Sequence, residues 1–425
     1  MHTETLVGKV TQSYIDTEFK YGAHNYHPLP VVIERGEGVF MWDVEGKRYY
    51  DFLSAYSAVN QGHCHPKIVG ALAEQAQKLT LTSRAFHNNL LGEYEKYITG
   101  VFGYDKVLPM NSGVEAVETA MKLCRKWAYE VKGIPTNEAK ILFATGNFHG
   151  RTLSVISASC DPSSRTGFGP YMDGIGIIEY NNADVLEAAI KADKTIAGFI
   201  VEPIQGEAGV VVPDEDYLPN VQRICKENNV LFIADEIQTG IARTGRLLAT
   251  CGNCTCTKKC KNKPQVKPDV LILGKALSGG VLPVSAVLAN DDIMLTIKPG
   301  EHGSTFGGNP LACAVAKAAL EVVEEEGLSQ RADHLGQVFR DGLNAIAKRN
   351  PLIRLVRGKG LLNAIVIDSE EDSDLAWNIC LKMRDNGLLA KPTHGNKIRL
   401  APPLVITEEQ IHECLGIIEK SINAF

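Results

Sequence analysis

Two oppositely charged residues stand where apolar runs end. Asp235 closes Val230-Leu231-Phe232-Ile233-Ala234, and Lys275 follows Val270-Leu271-Ile272-Leu273 by way of Gly274. An anion and a cation delivered to one edge of a sheet can form a structural ion pair. They can equally be the two groups that pyridoxal phosphate needs: a lysine that forms a Schiff base with the aldehyde, and a carboxylate that keeps the pyridine nitrogen protonated so that the ring draws electrons from a developing carbanion. Spacing alone leaves both readings open. A phosphate would also need a cradle, and Asn111-Ser112-Gly113-Val114 fits one. Glycine lets the backbone approach an anion, serine adds a hydroxyl, and a following helix turns its N-terminus toward the charge. The same residues also read as a plain N-cap. No GxxxxGK[ST] and no strand-linked GxGxxG competes for a nucleotide. A second hydroxyl–glycine segment, HGSTFGGNP (302–310), is either another phosphate contact or a glycine-rich loop.

These residues need a scaffold, and the chain between about 105 and 290 supplies its pattern. Short apolar runs (139–144, 197–201, 230–234, 270–273, 284–288) alternate with helical periodicity, the signature of βαβ units and a mostly parallel sheet covered on both faces. Val114, Val117, Met121, Cys124 and Ala128 recur at helical spacing, with Glu115 and Glu118 in the first turn, so an amphipathic helix is expected over 113–131. Beyond about 315 the pattern changes to helices near 313–326 and 332–348, short strands at 361–366 and 397–400, and a terminal helix from Glu408. The expected organisation is an α/β protein with an N-terminal segment (1–56), a large domain (57–315) and a smaller α+β domain (316–425).

Composition narrows the function. The 425 residues carry 44 basic against 50 acidic side chains, a net charge of −6, so no positive field is available for nucleic acid or an anionic membrane surface. No stretch of eighteen apolar residues offers a span, and the first twenty residues, with Glu4, Asp16 and Glu18, lack the features of a signal or transit peptide. A cytoplasmic protein is expected, unless a presequence was removed before Met1.

Motifs along nearly the whole chain carry a resemblance: AHNYHPLP (23–30), GHCHP (62–66), TSRAF (82–86), NSGVEA (111–116), GNFHGRT (146–152), EPIQGEAGV (202–210), ADEIQTG (234–240), LGKALSGG (273–280), GEHGSTFGGNP (300–310), RGKGLLNAIV (357–366) and AKPTHG…IRLAPPL (390–404). The chain resembles the ornithine aminotransferase subgroup of the class III, fold-type I, pyridoxal-phosphate enzymes. That resemblance implies that Lys275 binds the cofactor aldehyde, Asp235 pairs with its ring nitrogen, Gln238 bonds its phenolic oxygen and Phe148 stacks on its face. It implies that Ser112, Gly113 and Val114 hold the phosphate, while Thr305, with Ser304, reaches the phosphate of the neighbouring subunit in a homodimer. On the substrate side it implies that Arg151 and Tyr26 hold the ornithine α-carboxylate and Tyr56 lines the pocket. Glu207 would mask Arg399 while ornithine is bound and release it for 2-oxoglutarate. The implied reaction is ping-pong δ-amine transfer from L-ornithine to 2-oxoglutarate in proline and arginine metabolism. It gives glutamate and a semialdehyde that cyclises to pyrroline-5-carboxylate. Acetylornithine, 4-aminobutyrate or lysine would be the amine donor in the neighbouring subgroups, and a catalytically silent scaffold would not retain Lys275, Asp235, Arg151 and Arg399 together.

One segment departs from the family. Between ARTGR (242–246) and KPDV (267–270) a usually short connection is lengthened and holds Cys251, Cys254, Cys256 and Cys260 beside four lysines. A zinc site, disulfides and free thiols are all open to this spacing. No metal is expected in the active site, and GHCHP, with His63, Cys64 and His65, is read as a structural turn.

Overall fold

The computed structural model describes residues 7–251 and 266–425. The expected strands form one seven-stranded sheet, in the order Lys106–Met110, Ser285–Ala289, Val270–Leu273, Leu231–Asp235, Ile196–Val201, Lys140–Ala144 and Ile175–Ile178. Ser285–Ala289 runs antiparallel to both neighbours, and all other pairings are parallel. The three strands Ile196–Val201, Leu231–Asp235 and Val270–Leu273 are buried at every residue, because helices cover both faces. The two outer strands escaped the sequence pattern: Lys106–Met110 contains Pro109 and is tolerated only because it lies at an edge.

The helix Gly113–Trp127 covers one face. Its buried residues Ala116, Val117, Ala120, Met121, Leu123, Cys124 and Trp127 follow the three- and four-residue spacing, each fully buried large side chain contributing about 1.5–3 kcal/mol. It sits so close to the sheet that a Cβ on Gly198 would lie 2.6 Å from Cys124 Sγ, which fixes glycine there. The expected extension to residue 131 is instead a π-helical turn, Ala128–Lys132, closed by Gly133 at φ 80°.

Two four-stranded sheets flank this layer. Ile33–Glu37, Phe40–Asp43 and Arg48–Asp51 pair in sequence and take Leu388–Leu389 as a fourth, parallel strand, so the N-terminal segment and the C-terminal region share a sheet. Ile353–Lys359, Leu362–Ile367, Lys397–Leu400 and Lys391–Thr393 form the other, wholly antiparallel, packed with Leu328–Ala347 and Glu408–Ile422. The helix Pro310–Glu325 runs through positions 315 and 316 without interruption. One core cluster joins Leu271, Leu273 and Leu288 of the large sheet to Phe339, Ile365 and Leu400.

The chain also makes a left-handed turn without glycine. Ser54, Ala55, Tyr56 and Ser57 have φ of 50°, 45°, 60° and 73°, a conformation that costs about 1–2 kcal/mol for each residue with a Cβ. Of the scattered cysteines, Cys124, Cys225, Cys313, Cys380 and Cys414 are buried and behave as small apolar residues, whereas Cys64 and Cys160 are exposed. Cys251 ends the turn Ala249–Cys251. Cys254, Cys256 and Cys260, on which the zinc, disulfide and thiol readings turn, lie outside the described residues. No helix among the described residues is long and apolar enough to cross a membrane.

Arg243 fastens these parts together. It is fully buried, donates to Asn60 Oδ1 through Nε (3.0 Å) and Nη2 (2.6 Å), and donates through Nη1 to the carbonyls of Leu361 (3.0 Å) and Pro402 (2.6 Å). Arg243→Ala strands three buried acceptors and should lower the unfolding free energy by about 3–5 kcal/mol, read from a denaturant titration. A variant as stable as the parent would show that water replaces the guanidinium.

Candidate active site

The cleft is built at the carboxyl ends of five strands of the large sheet, the edge at which open parallel sheets hold ligands. Lys106–Met110 leads to Ser112 and Gly113, Lys140–Ala144 to Phe148 and His149, and Ile196–Val201 to Glu202; Leu231–Asp235 ends on Asp235, and Val270–Leu273 leads to Lys275. Glu207 enters on the loop bridged at Gln205 and Val211, and Arg399 on the strand Lys397–Leu400 of the C-terminal sheet. The enclosed space is about 270 Å³, lined among others by Gly113, Phe148, Arg151, Glu207, Asp235 and Lys275.

Asp235 lies at the floor, 4% exposed. Its Oδ2 accepts from His149 Nδ1 at 2.6 Å, and its Oδ1 from the Ile237 amide at 3.0 Å. Burial alone would lower the His149 pKa; the hydrogen bond and charge of Asp235 overcome it and raise the value. The other ring nitrogen, Nε2, is buried without a partner among the described residues. Glu202 lies beside this pair and accepts from the Phe148 amide at 2.9 Å. Burial pushes its carboxyl up to about 7, against the pull of His149. Neither His149 nor Glu202 was singled out in the sequence, although both sit inside quoted motifs. A histidine directly after the Phe148 position and a glutamate closing an apolar strand were the available signs.

Lys275 opens the short turn Lys275–Ser278 in the left-handed region, φ 47°. Burial lowers its pKa, Glu207 and Asp235 oppose this, and Arg399 adds to the lowering. The amine is thereby shifted toward the neutral, nucleophilic form.

Arg399 Nη1 donates to Glu207 Oε1 at 2.7 Å and, at 3.3 Å each, to Gln238 Oε1 and the Gly206 carbonyl. Gln238 Nε2 in turn donates to Glu207 Oε1 at 3.0 Å. Burial would raise the Glu207 pKa, but the Arg399 charge holds it below the usual value, so the pair is ionic. Arg399 Nε is buried with no partner among the described residues, and the guanidinium lies over the Tyr56 ring at 4.9 Å. Tyr56 gathers the substrate side: burial raises its pKa, and Glu207, Arg399, Tyr26 and Arg151 all act on its hydroxyl. Arg151 is exposed, 3.3 Å from Ser164 Oγ and 5.6 Å from the Phe148 ring centroid.

Three expected residues stand apart from this cleft. Tyr26 is 68% exposed. Ser304 Oγ accepts from Asn111 Nδ2 (2.8 Å) and the Gly307 amide (3.1 Å) of its own chain, and Thr305 is exposed outside the lining. Ser112 forms a capping box with Glu115, while Gly113 and Val114 face the cleft at the N-terminus of a 15-residue helix. Among the described residues no group of side chains is arranged to hold a metal ion. His63 and His65 turn instead to separate carboxylates, Asp51 and Glu326.

The donor set fits pyridoxal phosphate. A buried carboxylate, a buried amine with lowered pKa, an aromatic face and a helix N-terminus bounded by glycine line one space of suitable size. The raised Glu202 value makes a test independent of turnover. A carboxyl whose folded pKa lies above its unfolded one adds stability at low pH that is lost as pH rises from about 4.5 through about 7. Glu202→Gln should remove this loss, so the thermal midpoint of the cofactor-free variant rises above that of the parent at pH 8 and not at pH 4. Parallel profiles would show that Glu202 is already ionised at low pH.

Comparison with known proteins agrees with the site. The model of the family "Aminotransferase class-III" matches residues 21–422. A mitochondrial ornithine aminotransferase of Rattus norvegicus is 61% identical over 423 residues, covering 99% of this chain and 93% of its own length. Among solved structures, an ornithine aminotransferase of Toxoplasma gondii with partial occupancy of PLP at its active site superposes with a TM-score of 0.92 at 46% identity, covering 97% of this chain and 94% of its own. An acetylornithine aminotransferase of Elizabethkingia anophelis is 60% identical with a TM-score of 0.87, covering 98% and 99%. With the family matched over almost all of its length, this chain belongs to the class III aminotransferases, enzymes that depend on pyridoxal phosphate.

Proposed function

We infer that this chain is an ornithine δ-aminotransferase that passes the amine to 2-oxoglutarate. The observation that carries the reading is the Glu207–Arg399 pair at 2.7 Å, joined by Gln238, facing an Arg151 that has no ion-pair partner among the described residues. Ornithine has one carboxylate and two amines, and a clamp on its carboxylate at Arg151 and Tyr26 sends the distal δ-amine toward Lys275. Were Arg399 free beside Lys275, it would take that carboxylate and bring the α-amine forward instead. Glu207 prevents this by neutralising Arg399.

When bound, pyridoxal phosphate supplies the aldehyde that takes up the amine and the ring that withdraws electrons as a proton leaves the δ-carbon. Ser112, Gly113 and Val114 would hold its phosphate, Phe148 its face, Gln238 its phenolic oxygen, and Asp235, oriented by His149, its ring nitrogen. Lys275 takes the proton from the δ-carbon and returns it on the far side of the transfer. The product, glutamate-5-semialdehyde, closes to pyrroline-5-carboxylate. 2-Oxoglutarate then enters, one carboxylate displacing Glu207 from Arg399, and leaves as glutamate.

The working unit in this reading is a homodimer, in which Ser304 and Thr305 reach the neighbour's phosphate; the exposed Thr305 and Phe306 support it. We place the division of the chain at residues 57 and 316 and the protein in the cytoplasm. Some relatives carry a mitochondrial label, and fractionation of the full-length protein tests the compartment.

Product analysis with ornithine and 2-oxoglutarate, trapping pyrroline-5-carboxylate, tests the reaction; N-acetylornithine, 4-aminobutyrate and lysine as donors test the neighbouring specificities, the first of them named for the Elizabethkingia relative. Lys275→Ala should abolish turnover and the visible absorbance of the lysine-bound cofactor, and a colourless variant that still transaminates would refute the assignment. Glu207→Ala should raise kcat/KM for α-amine donors about tenfold or more relative to δ-amine transfer. Unchanged regioselectivity would remove Glu207 from the mechanism.

A further inference from the structure

The GHCHP segment is not used in the reaction above, yet it reaches the cleft through one residue. The His63 backbone exchanges hydrogen bonds of 2.8 and 3.0 Å with Gly38, and a Cβ on Gly36 would lie 2.9 Å from the His63 ring. So held, His63 Nε2 meets Asp51 Oδ2 at 2.8 Å, on a carboxylate whose side chain is 2% exposed. The other oxygen of Asp51 accepts from the amides of Leu53 (2.8 Å) and Ser54 (2.9 Å), at the entry to the left-handed turn. The Ser54 hydroxyl anchors the turn again on the Ala401 carbonyl at 2.6 Å, two residues beyond Arg399. Ser54-Ala55-Tyr56-Ser57 contains no glycine, so its positive φ values are imposed by these anchors against the preference of each residue. The turn presents the Tyr56 ring to Arg399 and packs against the turn that begins with Lys275.

We propose that His63 is a positioning residue: by holding the Asp51 carboxylate it keeps the left-handed turn in place, and with it the Tyr56 ring that seats Arg399 for an incoming carboxylate. The proposal rests on the role given to Arg399 above. While Glu207 leaves and a substrate carboxylate arrives, the guanidinium loses its ionic partner, and the aromatic face is what continues to hold it. Arg151, which receives ornithine, has no contact with the turn apart from its charge on Tyr56. Loss of His63 therefore weakens the second substrate more than the first.

Steady-state kinetics of the holoenzyme, with ornithine and 2-oxoglutarate varied separately, test this. His63→Ala should raise KM for 2-oxoglutarate about tenfold and leave KM for ornithine within about twofold. His63→Gln, whose amide nitrogen replaces Nε2, should recover most of the loss. Ala55→Gly added to His63→Ala should recover it too, because glycine adopts positive φ without the clamp. An equal rise in both KM values, no rise in either, or failure of both rescues would overturn the proposal. Should His63→Ala yield no soluble enzyme, Asp51→Asn with and without Ala55→Gly makes the same comparison, and an unrescued KM for 2-oxoglutarate overturns it. A wild-type enzyme that does not consume ornithine with 2-oxoglutarate refutes the reaction itself, an outcome visible before any variant is measured.

Discussion

Three carboxylates and three cationic side chains share the end of an otherwise apolar sheet: Asp235, Glu202 and Glu207 against Lys275, His149 and Arg399. Removing so many charges from water is costly unless each finds a partner, and every partner here comes from a different strand end. Asp235 is matched by His149 and Glu207 by Arg399. Glu202 has only an amide donor and the neighbouring His149, and its carboxyl is pushed toward the neutral form. Lys275 has no direct ionic contact among the described residues, and its amine shifts the same way. The two groups left without a close partner are thus the two whose protonation is drawn toward neutral pH, the range in which proton transfer is efficient.

This balance requires that two sheets meet accurately. Asp235 and Lys275 belong to the large sheet, Arg399 to the antiparallel C-terminal one, and the Glu207 loop lies between them. The shared core of Leu271, Leu273, Phe339, Ile365 and Leu400 supplies the bulk attraction, but apolar contact has little directional preference. Register comes from Arg243, whose guanidinium fixes Asn60, Leu361 and Pro402 at hydrogen-bonding distance, and from the Thr393 hydroxyl, which donates to the Glu207 carbonyl at 2.7 Å. The polar clamps thus set where the charges fall, and the apolar core makes the clamps strong by excluding water.

Much of this was legible in the sequence because burial on both faces of a parallel sheet leaves continuous apolar runs, and Leu231–Asp235 and Val270–Leu273 were recognisable together with the charged residues that end them. Gly113–Trp127 was legible from its periodicity, apart from the π-helical turn at its end. His149 and Glu202 were hidden for a physical reason: a buried polar residue takes its role from neighbours such as Asp235, 86 positions away from His149, and no local pattern records that distance. The left-handed turn was hidden for a different one. Glycine is the usual sign of positive φ, and Ser54-Ala55-Tyr56-Ser57 has none, because Asp51 and Ala401 enforce the conformation from outside the segment.

Why a glutamate, rather than a neutral side chain, should cover Arg399 follows from charge. An exposed arginine beside Lys275 would attract any carboxylate, whereas an apolar cover would leave a buried cation unpaired at a cost of several kcal/mol. A carboxylate cover matches the cation at rest and can be exchanged for a carboxylate of the substrate with no change in the net charge at the guanidinium. The side-chain exposures suit such an exchange, 20% for Glu207 against 3% for Arg399, so the acid can withdraw toward solvent while the cation stays. Gln238 lowers the barrier further: bonded to both members of the pair at 3.0 and 3.3 Å, it can keep its contact with Arg399 after Glu207 has left. Selectivity between amines then rests on a competition between two anions for one cation. Ornithine, whose single carboxylate is committed to Arg151, does not enter that competition, and a dicarboxylate does.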